Sequence, residues 1–380
     1  KRIQERYGLF EAPFPNKGLP MGLKEAKSLF GKGVAQDCLM CHAGRVAGQT
    51  IIGLGNASID LDLFYDELNK GNLIRFPKPF TLSHVRGTIE ATAAAEFVLS
   101  YRDRDLNVRT PPKREFPKYT CEDVPAWWLM KHKKTKYLIG SHPVEAVRPL
   151  MTFMMTPIYS GKHIKKHEPM FRDIQAFLLS LKAPKYPFKI DKQKAALGQK
   201  VFEKTCARCH GTYGEDRSYP NKIVKLDVIG TDPALGEASA KVDLKEWNEN
   251  WLAQEVGSDG KKLKASYKGG YQAPPLDGVW ATSPYLHNAS VPTVYHLLKS
   301  SARPRIFTRS YQAEKKDYDP KHLGVKFREL KAGEVKKLTP VQLRGVYDTT
   351  KPARSNAGHT FGDKLSEKER MAVIEYLKTL

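Results

Sequence analysis

Cys38-Leu39-Met40-Cys41-His42 and Cys206-Ala207-Arg208-Cys209-His210 carry one pattern, Cys-x-x-Cys-His, and use four of the five cysteines in the chain. That spacing is the attachment signature of c-type haem. Two intervening residues let both sulfurs span one porphyrin edge as thioethers, and the following helical turn brings the histidine beneath the metal. A thioredoxin-like dithiol and half of a zinc site are the competing readings. Zinc needs further paired ligands, and no other Cys-x-x-Cys exists here. A dithiol has no reason to be followed twice by histidine. The sequence therefore predicts two covalent haems c, with His42 and His210 as proximal iron ligands.

The flanks of the two motifs suggest an internal repeat. Residues 194–202, ahead of the second motif, read as an amphipathic helix with Leu197 and Val201 four apart. Residues 24–31, ahead of the first, give a weaker version of the same pattern. Each unit closes on a helix. The first carries Phe171, Ile174, Phe177, Leu178 and Leu181 on one face and stops before Pro184. The second runs from Ser366 to Leu380 with Val373, Ile374 and Leu377 inward, and Ser366-Glu367-Lys368-Glu369 is a capping-box start. Helix, haem motif, irregular middle and closing helix resemble a class I cytochrome c domain. The expected fold is mainly α: two tandem class I cytochrome c domains with long loop insertions, residues 1–187 around the first haem and 188–380 around the second. Ala183-Pro184-Lys185-Tyr186-Pro187-Phe188 is the expected linker. Insertions are expected around residues 100–165 and 212–270.

The chain has 380 residues, 41% of them hydrophobic, enough for two cores. No apolar run approaches the roughly 18 residues of a membrane span. The opening Lys1-Arg2-Ile3-Gln4-Glu5 has no apolar signal region. Haem c is attached outside the bacterial cytoplasm, so the expectation is a periplasmic or otherwise extracytoplasmic chain whose leader has been removed. Lys and Arg number 63 against 41 Asp and Glu, a formal charge of +22. The runs Lys131-His132-Lys133-Lys134 and Lys162-His163-Ile164-Lys165-Lys166-His167 contribute to it. A field of that sign speeds encounter with an acidic redox partner or an anionic surface; a solvated basic surface is the plain alternative. Nucleic acid is not expected, since the chain has no nucleic-acid motif. Cys121, left over after haem attachment, reads as a buried, unreactive thiol.

The tandem arrangement resembles the bacterial di-haem cytochrome c peroxidase superfamily, which includes peroxidases, MauG-type enzymes that oxidise tryptophans of a partner protein, and di-haem rubber oxygenases. Outside the haem motifs, the most specific segment is Pro275-Leu276-Asp277-Gly278-Val279-Trp280-Ala281-Thr282-Ser283-Pro284-Tyr285-Leu286-His287-Asn288-Ala289-Ser290-Val291-Pro292-Thr293. In peroxidases a similar stretch passes near an interdomain calcium, so the resemblance makes the carbonyls of Thr282 and Pro284 Ca²⁺ candidates. Val124-Pro125-Ala126-Trp127-Trp128-Leu129-Met130 resembles the rubber-oxygenase-like branch, where an aromatic pair lies close to the first haem. Ser355-Asn356-Ala357-Gly358-His359-Thr360-Phe361-Gly362 is similar to the same branch. There a Gly-His supplies the sixth ligand of the second haem, which implies that role for His359; His287 and His322 are its rivals.

The sequence also departs from the peroxidases. No methionine lies between Met170 and Met371, so the methionine ligand that raises the potential of their second haem is missing. No histidine lies between Ala43 and Ser83, so an early distal histidine is missing too. The chain is also far shorter than a rubber oxygenase. If His359 closes the second haem, the first is the candidate active site, because an open position is the prerequisite for oxygen chemistry. Trp127 or Trp128 would line its free face or lie between the haems, and His84 is the alternative cap or acid–base residue. The expected function is a di-haem oxidoreductase that activates peroxide, or O₂, at the first haem while the second relays electrons. A pure electron-transfer cytochrome and a MauG-like protein-modifying enzyme are the alternatives.

Overall fold

The computed structural model describes residues 2–28, 31–71, 82, 84–109 and 119–380. The best local helix signal, at the C-terminus, is realised. The Ser366 hydroxyl accepts from the Glu369 amide, and the Glu369 carboxylate accepts from the Ser366 amide at 2.9 Å, starting helix Glu367–Leu377. Val373, Ile374 and Leu377 are buried on it. Against it packs helix Lys192–Thr205, capped by Asp191, which accepts from the Lys194 amide.

The buried face of helix Lys192–Thr205 differs from the expected one. Ala195, Gly198 and Phe202 face inward, and Leu197 is 38% exposed. Gly198 explains this: a Cβ there would lie 1.9 Å from the Ala372 carbonyl oxygen, so the two helices cross at a point only glycine fits. Helix Glu168–Ser180 likewise buries Gln175 and Leu178 while Phe177, expected inward, is exposed.

Two further expectations are corrected. The stretch 24–31 is not a helix: Leu23–Ser28 and Gly31–Gln36 pair as an antiparallel hairpin, Leu23 opposite Gln36, with Leu29 and Phe30 outside the described residues. Gly31 (φ 104°) costs a helix about 1 kcal/mol against alanine and takes a left-handed backbone that a helix does not use. The helix-before-motif repeat is therefore present only at the second motif. Nor is the fold mainly α, since the described residues are 37% helical and 16% strand. Among the described residues the strands form six small antiparallel sheets, the largest being Phe327–Glu329, Ile306–Arg309 and Val346–Asp348 in that order. Many of these strands span only two to four residues, too short for a period-two pattern to register in the sequence.

The main hydrophobic cluster draws from both sides of residue 187. Val46, Leu54, Ala126 and Trp128 join Phe202, Trp280, Val291 and Ile374 in it. The Pro-rich segment between the halves is packed onto this cluster: Trp280 donates its indole N–H to the Pro184 carbonyl at 2.8 Å, and Phe188 stacks on Tyr318 at 5.5 Å. No helix among the described residues is long and apolar enough to cross a membrane.

Candidate haem sites

At the second motif, Cys206 ends helix Lys192–Thr205, and the turn Ala207–His210 follows it, with the His210 amide donating to the Cys206 carbonyl at 3.1 Å. Gly211 (φ 82°) ends the turn, where a Cβ would lie 2.0 Å from the Ser218 carbonyl oxygen. The Nδ1 of His210 is 2.8 Å from the Pro274 carbonyl oxygen and donates to it. That contact fixes the tautomer and leaves Nε2 as the free, basic nitrogen, the usual way a metal-binding imidazole is oriented. Tyr213 braces the same corner, donating to the His210 carbonyl at 3.0 Å and accepting from the Leu276 amide at 2.6 Å.

Across from His210 stands His359, ring centroids 6.2 Å apart and planes at 58°. Two metal–nitrogen bonds of about 2 Å each, with the ring offsets added, span roughly 6 Å, so one metal atom fits between the rings. Burial, then the neighbouring His210, pull the His359 pKa down to about 3, which keeps the imidazole in its neutral, ligating form. The loop bearing it is held by one side chain. The Arg303 guanidinium donates to the carbonyls of Asn356, Gly358 (2.8 Å) and His359 (3.3 Å), and to those of His296 and Leu297. The His359 amide donates to the Ile229 carbonyl at 2.7 Å. Gly358 is required by its neighbours: a Cβ would lie 2.2 Å from Gly230 C. The other two candidates do not face His210. His287 stacks on Tyr271 at 4.0 Å, with its Nε2 buried and without a hydrogen bond, and His322 pairs with Asp319 at 2.8 Å.

At the first motif, Cys38 precedes the turn Leu39–His42, and the His42 amide donates to the Cys38 carbonyl at 3.0 Å. The Asn56 amide donates to the Cys41 carbonyl at 2.7 Å, and its side chain to those of Met40 and Gly8. Burial pulls His42 down to about 3, opposed by the Pro125 carbonyl close by. The ring of Trp127 stacks on the His42 imidazole at 4.3 Å and 20°. Trp127 thus rests on the His42 ring. Trp128 is 1% exposed, in the core, and donates its indole N–H to the Asp277 carbonyl at 2.8 Å. His84 is 59% exposed and pairs with Asp62, which also pairs with Arg344.

The short segment Pro274–Asp277 joins the two sites. Its Pro274 carbonyl accepts from His210 and its Asp277 carbonyl accepts from Trp128, whose neighbour Trp127 rests on His42. The Asp277 carboxylate is held by Arg217 through two bonds of 2.6 and 2.7 Å. Pro274, Tyr213, Arg217 and Arg303 were not singled out from the sequence. Their partners are mostly backbone groups, which leave no pattern; Asp277 lay within the quoted segment without a role. None of the five cysteines is in a disulfide. Cys121 is fully buried and burial pushes its thiol up to about 12, as an unreactive cysteine requires. Among the described residues no group of three or more His, Cys, Asp or Glu side chains could hold a metal ion, and calcium at the Thr282 and Pro284 carbonyls rests on the resemblance alone.

One comparison with known proteins falls on this corner of the molecule. Residues 270–308, which include Pro274, Asp277 and Trp280, match the family described as RoxA-like, cytochrome c-like. A cytochrome c-like segment implies haem c and points to an oxidoreductase or electron-transfer function. The chain is 30% identical over 262 residues to the uncharacterised protein y4iJ of Sinorhizobium fredii (strain NBRC 101917 / NGR234), covering 53% of this chain and 41% of that protein. It is 28% identical over 295 residues to the uncharacterised protein y4iM of the same strain, covering 70% of this chain and 66% of that protein. The chain thus spans less than two thirds of either relative.

Proposed function

We propose that this protein is a di-haem c oxidoreductase that activates peroxide, or O₂, at its first haem while the second, closed by His359, relays electrons. The observation that carries the reading is the asymmetry of the two motifs. His210 faces a second buried imidazole at 6.2 Å, whereas among the described residues the ring against His42 is Trp127, on the proximal side. A haem with two strong protein ligands exchanges electrons, and one with a free position binds small oxidants.

The protein's own groups have separate tasks in this scheme. Pro274 orients His210 through Nδ1, and Arg303 holds the His359 loop at the opposite side. Trp127 fixes the plane of the His42 ring. Trp128 and the segment Pro274–Asp277 provide a bonded and hydrogen-bonded route between the two histidines. A partner of acidic surface would dock to the basic one; Lys162, Lys165 and Lys166 are all exposed on helix Gly161–Lys166. The place of work is extracytoplasmic, as covalent haem requires. Stoichiometric hydrogen peroxide added to the half-reduced holoprotein tests the activity. Consumption of one peroxide per protein, blocked by cyanide, is the expected result; inert protein would leave an electron carrier.

A further inference from the structure

A cleft of about 890 Å³ opens away from both haem motifs, between helix Arg2–Tyr7 with the Asp60–Leu63 turn on one side and residues 308–346 on the other. That volume lies in the range of small-molecule sites, roughly 300–1,000 Å³. Several arginines line it, and most are neutralised. Arg6 pairs with Glu67, Arg328 with Glu334, and Arg344 with Asp60 and Asp62. Arg86 and Arg309 are different. Both guanidinium carbons lie over the ring of Tyr311, at 5.0 and 4.2 Å. Their hydrogen bonds go to backbone carbonyls: Ser58 and Glu5 for Arg86, Ala57 and Ser310 for Arg309. Carbonyls satisfy N–H groups but supply no countercharge. Among the described residues no ion pair joins either arginine to a carboxylate, and burial lowers both from their usual pKa. Asp60 lies near Arg86, and Asp123 and Asp317 near Arg309, but none of them forms an ion pair with either, so two adjacent, partly desolvated guanidiniums on one wall still favour an anionic ligand.

The rest of the wall sets the ligand's other half. Leu63, Leu330 and Val341 give the cleft an aliphatic side, and Val341 is 65% exposed. We propose that this cleft binds a carboxylate carried on an apolar chain, the carboxylate meeting Arg86 and Arg309 and the chain lying along Leu63, Leu330 and Val341. Planar guanidinium forks match a carboxylate in pairs. The site also touches the first motif at one remove: the loop whose Ala57 and Ser58 carbonyls hold the two arginines is the one whose Asn56 binds the backbone of Met40 and Cys41. The proposal goes beyond the redox reading and does not depend on it.

Calorimetric titration of the holoprotein with octanoate, 1-octanol and inorganic phosphate tests it. Octanoate should bind, with the alcohol and phosphate each about tenfold weaker or more, since each lacks one half of the recognised group. Val341→Glu puts a carboxylate into the cleft at an exposed position that leaves the core intact, and should weaken octanoate by about tenfold. Arg86→Gln should act the same way, with circular dichroism confirming that both variants are folded. Absence of octanoate binding at millimolar concentration, equal binding of octanol or phosphate, or equal octanoate affinity in a folded Val341→Glu variant would each overturn the proposal.

Discussion

The two Cys-x-x-Cys-His motifs share a local pattern and differ in everything around it. The second follows a fourteen-residue helix that is clamped against the C-terminal helix. Its histidine is oriented by a carbonyl at 2.8 Å and faced by another imidazole at 6.2 Å. The first follows a β-hairpin, and its histidine leans on an indole, with the Pro125 carbonyl close by. A proximal ligand needs only the local turn, which five residues encode. In the second case the facing imidazole comes from a loop some 150 residues away, whereas among the described residues the ring stacked on His42 is that of Trp127. On the reading proposed above, one motif serves a closed electron-transfer site and the other an open one, from the same five-residue seed.

The largest effect is expected from removing the anchors. The double variants Cys38→Ser/Cys41→Ser and Cys206→Ser/Cys209→Ser should each lose the covalent bonds to one haem of two, measured by pyridine haemochrome after acid–acetone extraction. If either variant kept both haems covalently bound, the paired-site comparison would fail at its base. Next comes His359→Ala, which should convert the second site alone from low spin to high spin; an unchanged low-spin signal would move the sixth ligand to another residue.

Arg303→Met sharpens the contrast from a distance. It leaves the carbonyls of Asn356, Gly358 and His359 without their donor, at a cost of about 2–4 kcal/mol in stability. It should give a mixed-spin second site, with the first unaffected. Lysine, lacking the fork, should rescue poorly.

Histidines outside both sites offer a pH comparison. Burial lowers His142 to about 3, against an ordinary value of 6.5. Its folded pKa is depressed, so the unfolded chain binds its proton first. This contribution to stability is present above about pH 6.5 and lost as pH falls towards 3. Between pH 7 and 5 the loss is of order 2 kcal/mol. Glu122, raised by burial to about 7, acts in the opposite direction over the same window. The informative quantity is therefore the difference between wild type and His142→Phe: the variant should lose less stability to urea on going from pH 7 to 5. Equal losses would show that His142 titrates normally in the fold.

The smallest effect belongs to Trp127→Leu. Losing the stack on His42 should cost about 1 kcal/mol and shift only the first haem's spectrum.

What the sequence revealed depended on how local the cause was. The capped helix at Ser366, with Val373, Ile374 and Leu377 inward, is written in consecutive residues and could be read. The hairpin Leu23–Gln36 could not, because its pairing outweighs the helix-forming Lys24-Glu25-Ala26-Lys27. The face of helix Lys192–Thr205 was misplaced because Gly198 is chosen by the backbone of Ala372, far along the chain. At the sites, the two Cys-x-x-Cys-His patterns are legible because chemistry fixes their spacing, and the proximal role of their histidines stays an expectation. His359 enters through resemblance, and its ring lies 6.2 Å from that of His210. Arg303 and Pro274 were not legible, because one serves five backbone carbonyls and the other offers one.

One measurement bears on the asymmetry directly: electron paramagnetic resonance of the holoprotein, fully ferric and half-reduced, each with and without peroxide. An open first site and a His359-closed second site require one high-spin ferric signal that peroxide consumes, in at least one of the two states, beside a low-spin signal abolished by His359→Ala. Low-spin ferric signals alone, two in the ferric protein and one in the half-reduced, indifferent to peroxide, would contradict the asymmetry and make the protein an electron carrier.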